Sequence, residues 1–213
     1  RKGITKTAAV IVVALLAGCG SRTENTRVLD RGMTQLENGN IDTAVELLER
    51  AAREQPESAT AFCNLGVAYA QQGRSDEAVA ALERAAELAP DDPRPLEFLV
   101  RLHLRLRRWP QAQAAVSDAL VRQPDSARLL TLRAVVEFSS GDPARAKDTL
   151  TAALREDSSY PPALYNMGQV HRLIPSGRDV TATYFERFLK VAGDDDRHTR
   201  TARAFLSGER SGT

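Results

Sequence analysis

The chain has 213 residues, 42% of them hydrophobic and only 5% aromatic, with a formal net charge of +1. That length suits one core or one repeat array, and the charge balance excludes the strongly basic footprint of a nucleic-acid binder. Cys19 and Cys63 are the two cysteines, too few for a disulfide framework.

The first element is a leader. Arg1, Lys2 and Lys6 carry its charge, residues 1–18 contain no acid, and residues 8–17 are uninterruptedly apolar. A spanning helix needs roughly 20 apolar residues, so this shorter run fits the apolar region of a signal peptide. Leu16, Ala17, Gly18 and Cys19 follow it. This tetrapeptide resembles the lipobox of bacterial lipoproteins. The resemblance implies cleavage after Gly18 and lipidation of Cys19, which becomes the new N-terminus. More than one acyl chain exceeds the marginal hold of a single one. Residues 1–18 are therefore expected to be a signal peptide and residues 19–24 a lipidated tether. Gly20 and Ser21 follow the cysteine, with no aspartate at the second mature position. By analogy with enteric bacteria, this implies an outer-membrane location in the bacterial cell envelope, facing the periplasm.

Beyond the tether the sequence repeats every 34 residues. Ala44, Ala78, Ala112 and Ala146 hold that spacing, and so do Ala51, Ala85, Ala119 and Ala153. Leu48, Leu82, Val116 and Leu150 keep the same register. Pro56, Pro90 and Pro124 follow, with Ser158 at the fourth place. Gly39, Gly73 and Gly141 precede the first alanine series, with Arg107 in the third unit. The clearest unit, 59–92, carries Phe62, Leu65, Gly66, Tyr69, Gly73, Ala78, Leu82, Ala85 and Pro90. It resembles the tetratricopeptide repeat position by position. The resemblance implies an all-α, right-handed solenoid of about five helix-turn-helix repeats. They span 25–58, 59–92, 93–126, 127–160 and a divergent 161–194.

Each unit reads as two helices. In the second, Phe62, Leu65, Val67, Ala68 and Tyr69 mark helix A, and Gly73 permits the turn without a Cβ clash. Ser75 and Asp76 are suited to capping helix B, whose small alanines allow close packing. Pro90 ends the hairpin. A single hairpin cannot bury its apolar face, so repeats stack. In the fifth unit Leu164, Met167, Gly168 and His171 belong to helix A. The turn is longer, and Tyr184, Phe185, Phe188 and Leu189 make a bulkier helix B. Residues 195–207 are expected to form a capping helix with Ala202, Phe205 and Leu206 inward, and 208–213 a disordered tail.

Catalytic chemistry finds little support. His103 and His171 fall at the repeat position of Tyr69, a packing position, and His198 lies in a charged, solvated segment. No cluster of metal-ligand type and no glycine-rich phosphate loop is present. No metal, cofactor or nucleic acid is expected, and the chain does not read as an enzyme. Cys63 reads as a small, half-buried packing residue. Trp109 is expected to fill the space between helices. Arg101, Arg105 and Arg108 are spaced to share one helix face, either solvated or facing an acidic partner or membrane headgroups.

In the tetratricopeptide family the concave groove is lined by helix A. The positions that the resemblance carries over include Asn64, Arg94, Phe98, Arg101, Arg105, Arg128, Phe138, Pro162, Tyr165, Asn166 and Arg172. Arginine forks take carboxylates in a bidentate way, and aromatics supply apolar anchors. The expected ligand is an extended protein segment or peptide, acidic or presenting a C-terminal carboxylate. Asn64 and Asn166 match a favoured position of the family's chaperone-tail clamp, but its lysines are missing. The expected function is a lipid-anchored scaffold in envelope assembly: pilus or secretion, outer-membrane or cell-wall machinery. The alternative is an accessory subunit or enzyme of cell-wall or exopolysaccharide processing with a site built across the groove.

Overall fold

The computed structural model describes residues 26–173, 178–193 and 197–208. Gly18, Cys19, the tether, part of the fifth turn, residues 194–196 and the tail after 208 lie outside the described residues. Among those described there are eleven helices and no strand. They are α1 (26–37), α2 (Ile41–Glu54), α3 (Ala59–Gln72), α4 (Ser75–Leu88), α5 (Arg94–Arg105), α6 (Trp109–Arg122), α7 (Ala127–Ser139), α8 (Pro143–Glu156), α9 (Pro161–Leu173), α10 (Arg178–Val191) and α11 (Arg197–Ser207). This is the all-α tetratricopeptide fold. Among the described residues no helix is long and apolar enough to cross a membrane.

Local chemistry explains the boundaries. Ser58 caps α3 by accepting from the Ala61 amide, Ser126 caps α7 from Leu129, and Asp142 caps α8 from Arg145. Pro110 and Pro143 sit in the first turns of α6 and α8, where a missing N–H costs nothing. Gly73 closes α3 in the left-handed conformation, with its amide on the Tyr69 carbonyl. The start of α4 differs from the sequence expectation. Its N-cap is Arg74, without a side-chain cap, and Ser75 begins the helix; Asp76 and Glu77 instead place negative charge in the first turn, where the helix dipole favours it.

The helices form two compact units, one ending at Pro95 and one beginning at Leu96. In the first, Val28 and Leu29 of α1 pack with Ala44, Leu48 and Ala51 of α2, Ala61, Leu65 and Ala68 of α3, and Ala81 of α4. In the second, Ala134 of α7, Leu150 and Ala153 of α8, and Ala163, Met167 and Val170 of α9 share one core. A further core joins Leu164, Phe185, Phe188 and Ala202, with Phe205 and Leu206 of α11 packed against it. The expected inward residues of the last helix are therefore the ones that pack.

Both alanine series are wholly buried, each member at 0% exposure. The glycines that precede them in register show how close the helices come. A Cβ on Gly66 would lie 2.6 Å from Cγ of Leu82, and one on Gly168 would overlap the Phe185 ring. Protein interiors are packed without slack, so these positions admit no side chain unless the facing one moves.

Candidate groove site

Asn64 and Arg94 belong to the first unit. Asn64 donates from Nδ2 to the Thr60 carbonyl at 2.8 Å, which ties its amide to its own helix. Arg94 forks onto Asp92, with Nε 3.0 Å from Oδ1 and Nη2 2.7 Å from Oδ2. This bidentate pair holds the Asp92 carboxyl below its usual range, so the Arg94 guanidinium is already occupied. Cys63 lies nearby, half-buried. Burial pushes its thiol up to about 11 against the pull of Arg94. A thiol that stays protonated is a poor nucleophile, which fits the packing role.

The remaining candidates lie in the second unit. On α5, Phe98 is 38% exposed, an unusual surface position for an aromatic. One turn on, Arg101 is exposed and makes no hydrogen bond or ion pair among the described residues. Arg105 ends the helix. Arg108 does not share their face: it is the N-cap of α6, because the turn at 106–108 leaves the helical register. Trp109 opens α6 and is half-buried.

Glu97 precedes Phe98 on α5. It is only 3% exposed, and it pairs with Arg128 at the start of α7. A buried carboxylate must keep its counter-charge, so Arg128 is committed to it, although 57% of its own side chain remains exposed. Tyr160 stands in the field of the same cluster. Burial raises its phenol above the ordinary value; Arg128 and Arg101 pull the other way, and Glu97 reinforces the rise.

Phe138 is half-buried and packs against the α7–α9 core. Beside it in the chain lies Glu137, which is 2% exposed. Its carboxylate accepts from Arg133 Nε at 3.0 Å and from the Thr149 hydroxyl at 2.7 Å. It thus ties α7 to α8. Glu137 occupies the repeat position of Tyr69, His103 and His171, so the register was its available signal. His103 is buried, and His171 stacks on Tyr184 with ring centroids 5.6 Å apart. Burial, aided by Lys147, lowers the His171 pKa. Both histidines occupy packing positions.

On α9, Tyr165 stacks on Phe185 at 5.8 Å and leans on Phe188 at 5.3 Å. Its phenolic oxygen accepts from Gln169 at 2.5 Å. His198 is exposed, but it is more than a solvated residue: its ring meets Tyr165 edge-on at 4.5 Å. Asn166 repeats the arrangement of Asn64, donating to the Pro162 carbonyl at 2.8 Å. Arg172 donates to Gln169 at 2.9 Å and reaches over Phe205 at 5.9 Å. Pro161, Pro162, Tyr165, Asn166 and Phe188 line a cavity of about 220 Å³, closed by Ala192, Gly193, His198 and Thr199. Among the described residues no group of three His, Cys, Asp or Glu side chains could hold a metal ion.

Helix pairs in a 34-residue register define a class that works by holding other proteins. The tetratricopeptide repeat model matches residues 29–93 and 99–172. The chain belongs to the tetratricopeptide repeat family, and it is a scaffold for protein–protein interaction. Among curated proteins, none matches it. Among solved structures it is similar to a thermophilic tetratricopeptide protein of Thermus thermophilus, with 20% identity and a TM-score of 0.69, covering 86% of this chain and 99% of that one. It is also similar to PilF of Pseudomonas aeruginosa, with 18% identity and a TM-score of 0.70, covering 89% and 90%. A chain of the Cut9–Hcn1 hetero-tetramer of the APC/C gives 19% identity and a TM-score of 0.69, covering 86% of this chain and 36% of that one. At these identities the likeness shows the fold.

Proposed function

We propose that the protein is a lipid-anchored scaffold of a bacterial envelope that holds an extended, acidic segment of a partner protein against the helix A face of its third to fifth repeats. The observation that carries the binding reading is Arg101. It is an exposed guanidinium without an ion pair among the described residues, one turn from the exposed ring of Phe98. Arg94 and Arg128 already hold Asp92 and Glu97. Arg101 therefore has the most binding capacity left, and the planar fork of arginine suits a carboxylate. The assembly of Cut9 with Hcn1 in a hetero-tetramer supports a protein partner for a chain of this fold. The anchor reading rests on Leu16, Ala17, Gly18 and Cys19 behind a short apolar run. Localisation would then be the envelope, on the outer membrane facing the periplasm, with a role in pilus or secretion, outer-membrane or cell-wall assembly.

The test of the groove is Arg101→Glu combined with Arg105→Glu in the full chain. Partners are recovered by co-purification, and the fold is checked by circular dichroism. Reversing the charge at a carboxylate site should lower recovery of the groove partner about ten-fold or more. Undiminished recovery of every partner by a folded double variant overturns the groove reading.

A further inference from the structure

The cavity between α9, α10 and α11 is separate from the Arg101 guanidinium in its lining. Its volume, about 220 Å³, falls below the ~300–1,000 Å³ of pockets for drug-sized ligands. It is of the size for one side chain, not for a cofactor. Its walls are the rings of Pro161, Pro162, Tyr165 and Phe188, and its polar groups are few: Asn166, His198 and Thr199. The rings are held rigidly. Tyr165 is braced by Phe185, Phe188 and His198, and Phe188 is only 5% exposed. Rigid aromatic walls lose little entropy when a partner side chain enters.

The cavity also continues the groove. Pro162, Tyr165 and Asn166 are helix A positions of the fifth repeat. Tyr160, directly before Pro161, feels Arg101, Arg128 and Glu97. The apolar hollow begins next to Tyr160, and Arg101, without an ion pair among the described residues, acts on the same Tyr160.

We infer that this cavity is an anchor subsite that takes one bulky apolar side chain, aromatic by the shape of its walls, from the same extended peptide whose carboxylate meets Arg101. The inference rests on the groove reading above. The two features together select a partner segment in which an acidic residue and an aromatic one lie a few residues apart. Neither feature alone would distinguish such a segment from any acidic or any apolar tail.

Two blocked, fluorescein-labelled hexapeptides separate the contributions when titrated onto the full-length chain. One carries two aspartates and a phenylalanine; the other has glycine in place of the phenylalanine. The first is expected to bind about ten-fold or more tightly than the second, from burial of the ring. Gly193 offers a way to plug the cavity, because a Cβ there meets nothing within 4 Å. Gly193→Trp should erase the advantage of the phenylalanine and leave the glycine peptide unchanged, whereas Gly193→Ala should leave both unchanged. Arg101→Glu should weaken both peptides. Equal binding of the two peptides, or an advantage that survives Gly193→Trp, overturns the subsite. An advantage that Gly193→Trp removes, with neither peptide sensitive to Arg101→Glu, leaves the subsite standing and sinks the charged groove. No binding of either peptide overturns both. If Gly193→Trp alters only the sedimentation of the chain, a second copy is the occupant and the subsite for a peptide falls.

Discussion

Arg107 stands at φ 56°, in the left-handed region, where the other turns carry Gly39, Gly73 and Gly141 at 77°, 86° and 95°. A non-glycine residue pays about 1–2 kcal/mol for that conformation. Glycine in exchange loses more backbone entropy on folding, roughly 0.5–1 kcal/mol. The first term is larger, so Arg107→Gly should stabilise the chain by about 0.5–1 kcal/mol. Urea denaturation reads this directly as a higher midpoint. An unchanged or lower midpoint would mean that the Arg107 side chain contributes contacts worth the strain. Arg94 and Arg128 look like Arg101 in the sequence, but their neighbours differ. Asp92 and Glu97 take up the first two, whereas Arg101 makes no ion pair among the described residues.

At the scale of the element, the decisive quantity is the gap between helix A and helix B. In the second repeat Gly66 of α3 faces Leu82 of α4, and the Cβ it lacks would sit 2.6 Å from the Leu82 branch point and 3.1 Å from the Ala78 carbonyl. Helix propensity alone favours Gly66→Ala by about 1 kcal/mol. Neither the branch point nor the backbone can step aside freely, so overpacking, at about 1–3 kcal/mol, should outweigh propensity and make the variant less stable. Ala85→Leu, at 0% exposure, should be destabilising by a similar 1–3 kcal/mol, while Gln72→Leu, on the exposed end of α3, should change little. Chemical denaturation of the three variants checks the register. Equal midpoints would place these alanines and glycines outside the helix contact.

For the whole molecule, the Leu16-Ala17-Gly18-Cys19 sequence behind residues 8–17 sets the expected destination, and the repeats set what is delivered there. Cys19→Ser should abolish acyl labelling and leave uncleaved precursor, because the hydroxyl cannot replace the thiolate as the acceptor of the lipid. Labelled, processed Cys19→Ser protein would remove Cys19 as the lipid site without touching the repeats.

The repeat architecture was legible in the sequence because each 34-residue unit restates the same local physics. Small residues mark the helix contact, glycine the left-handed turn, and proline the exit from helix B. Such features depend on neighbours a few residues away, and they placed the helices, the buried alanines and the inward face of α11. The charged and aromatic face was legible only as a set of positions. Whether an arginine there is available depends on a carboxylate that folding brings near it, and Glu97 of α5 meets Arg128, at the start of α7, only in the folded chain. The N-cap at Arg74, the position of Arg108 beyond the end of α5, the burial of Glu137 and the ring of His198 against Tyr165 were decided in the same way. So was the cavity beside Tyr165. Its walls come from α9, α10 and α11, and a hollow between three helices has no signature in any one of them. Periodicity fixes which side chains turn inward, but only packing fixes which charges cancel and where space is left over.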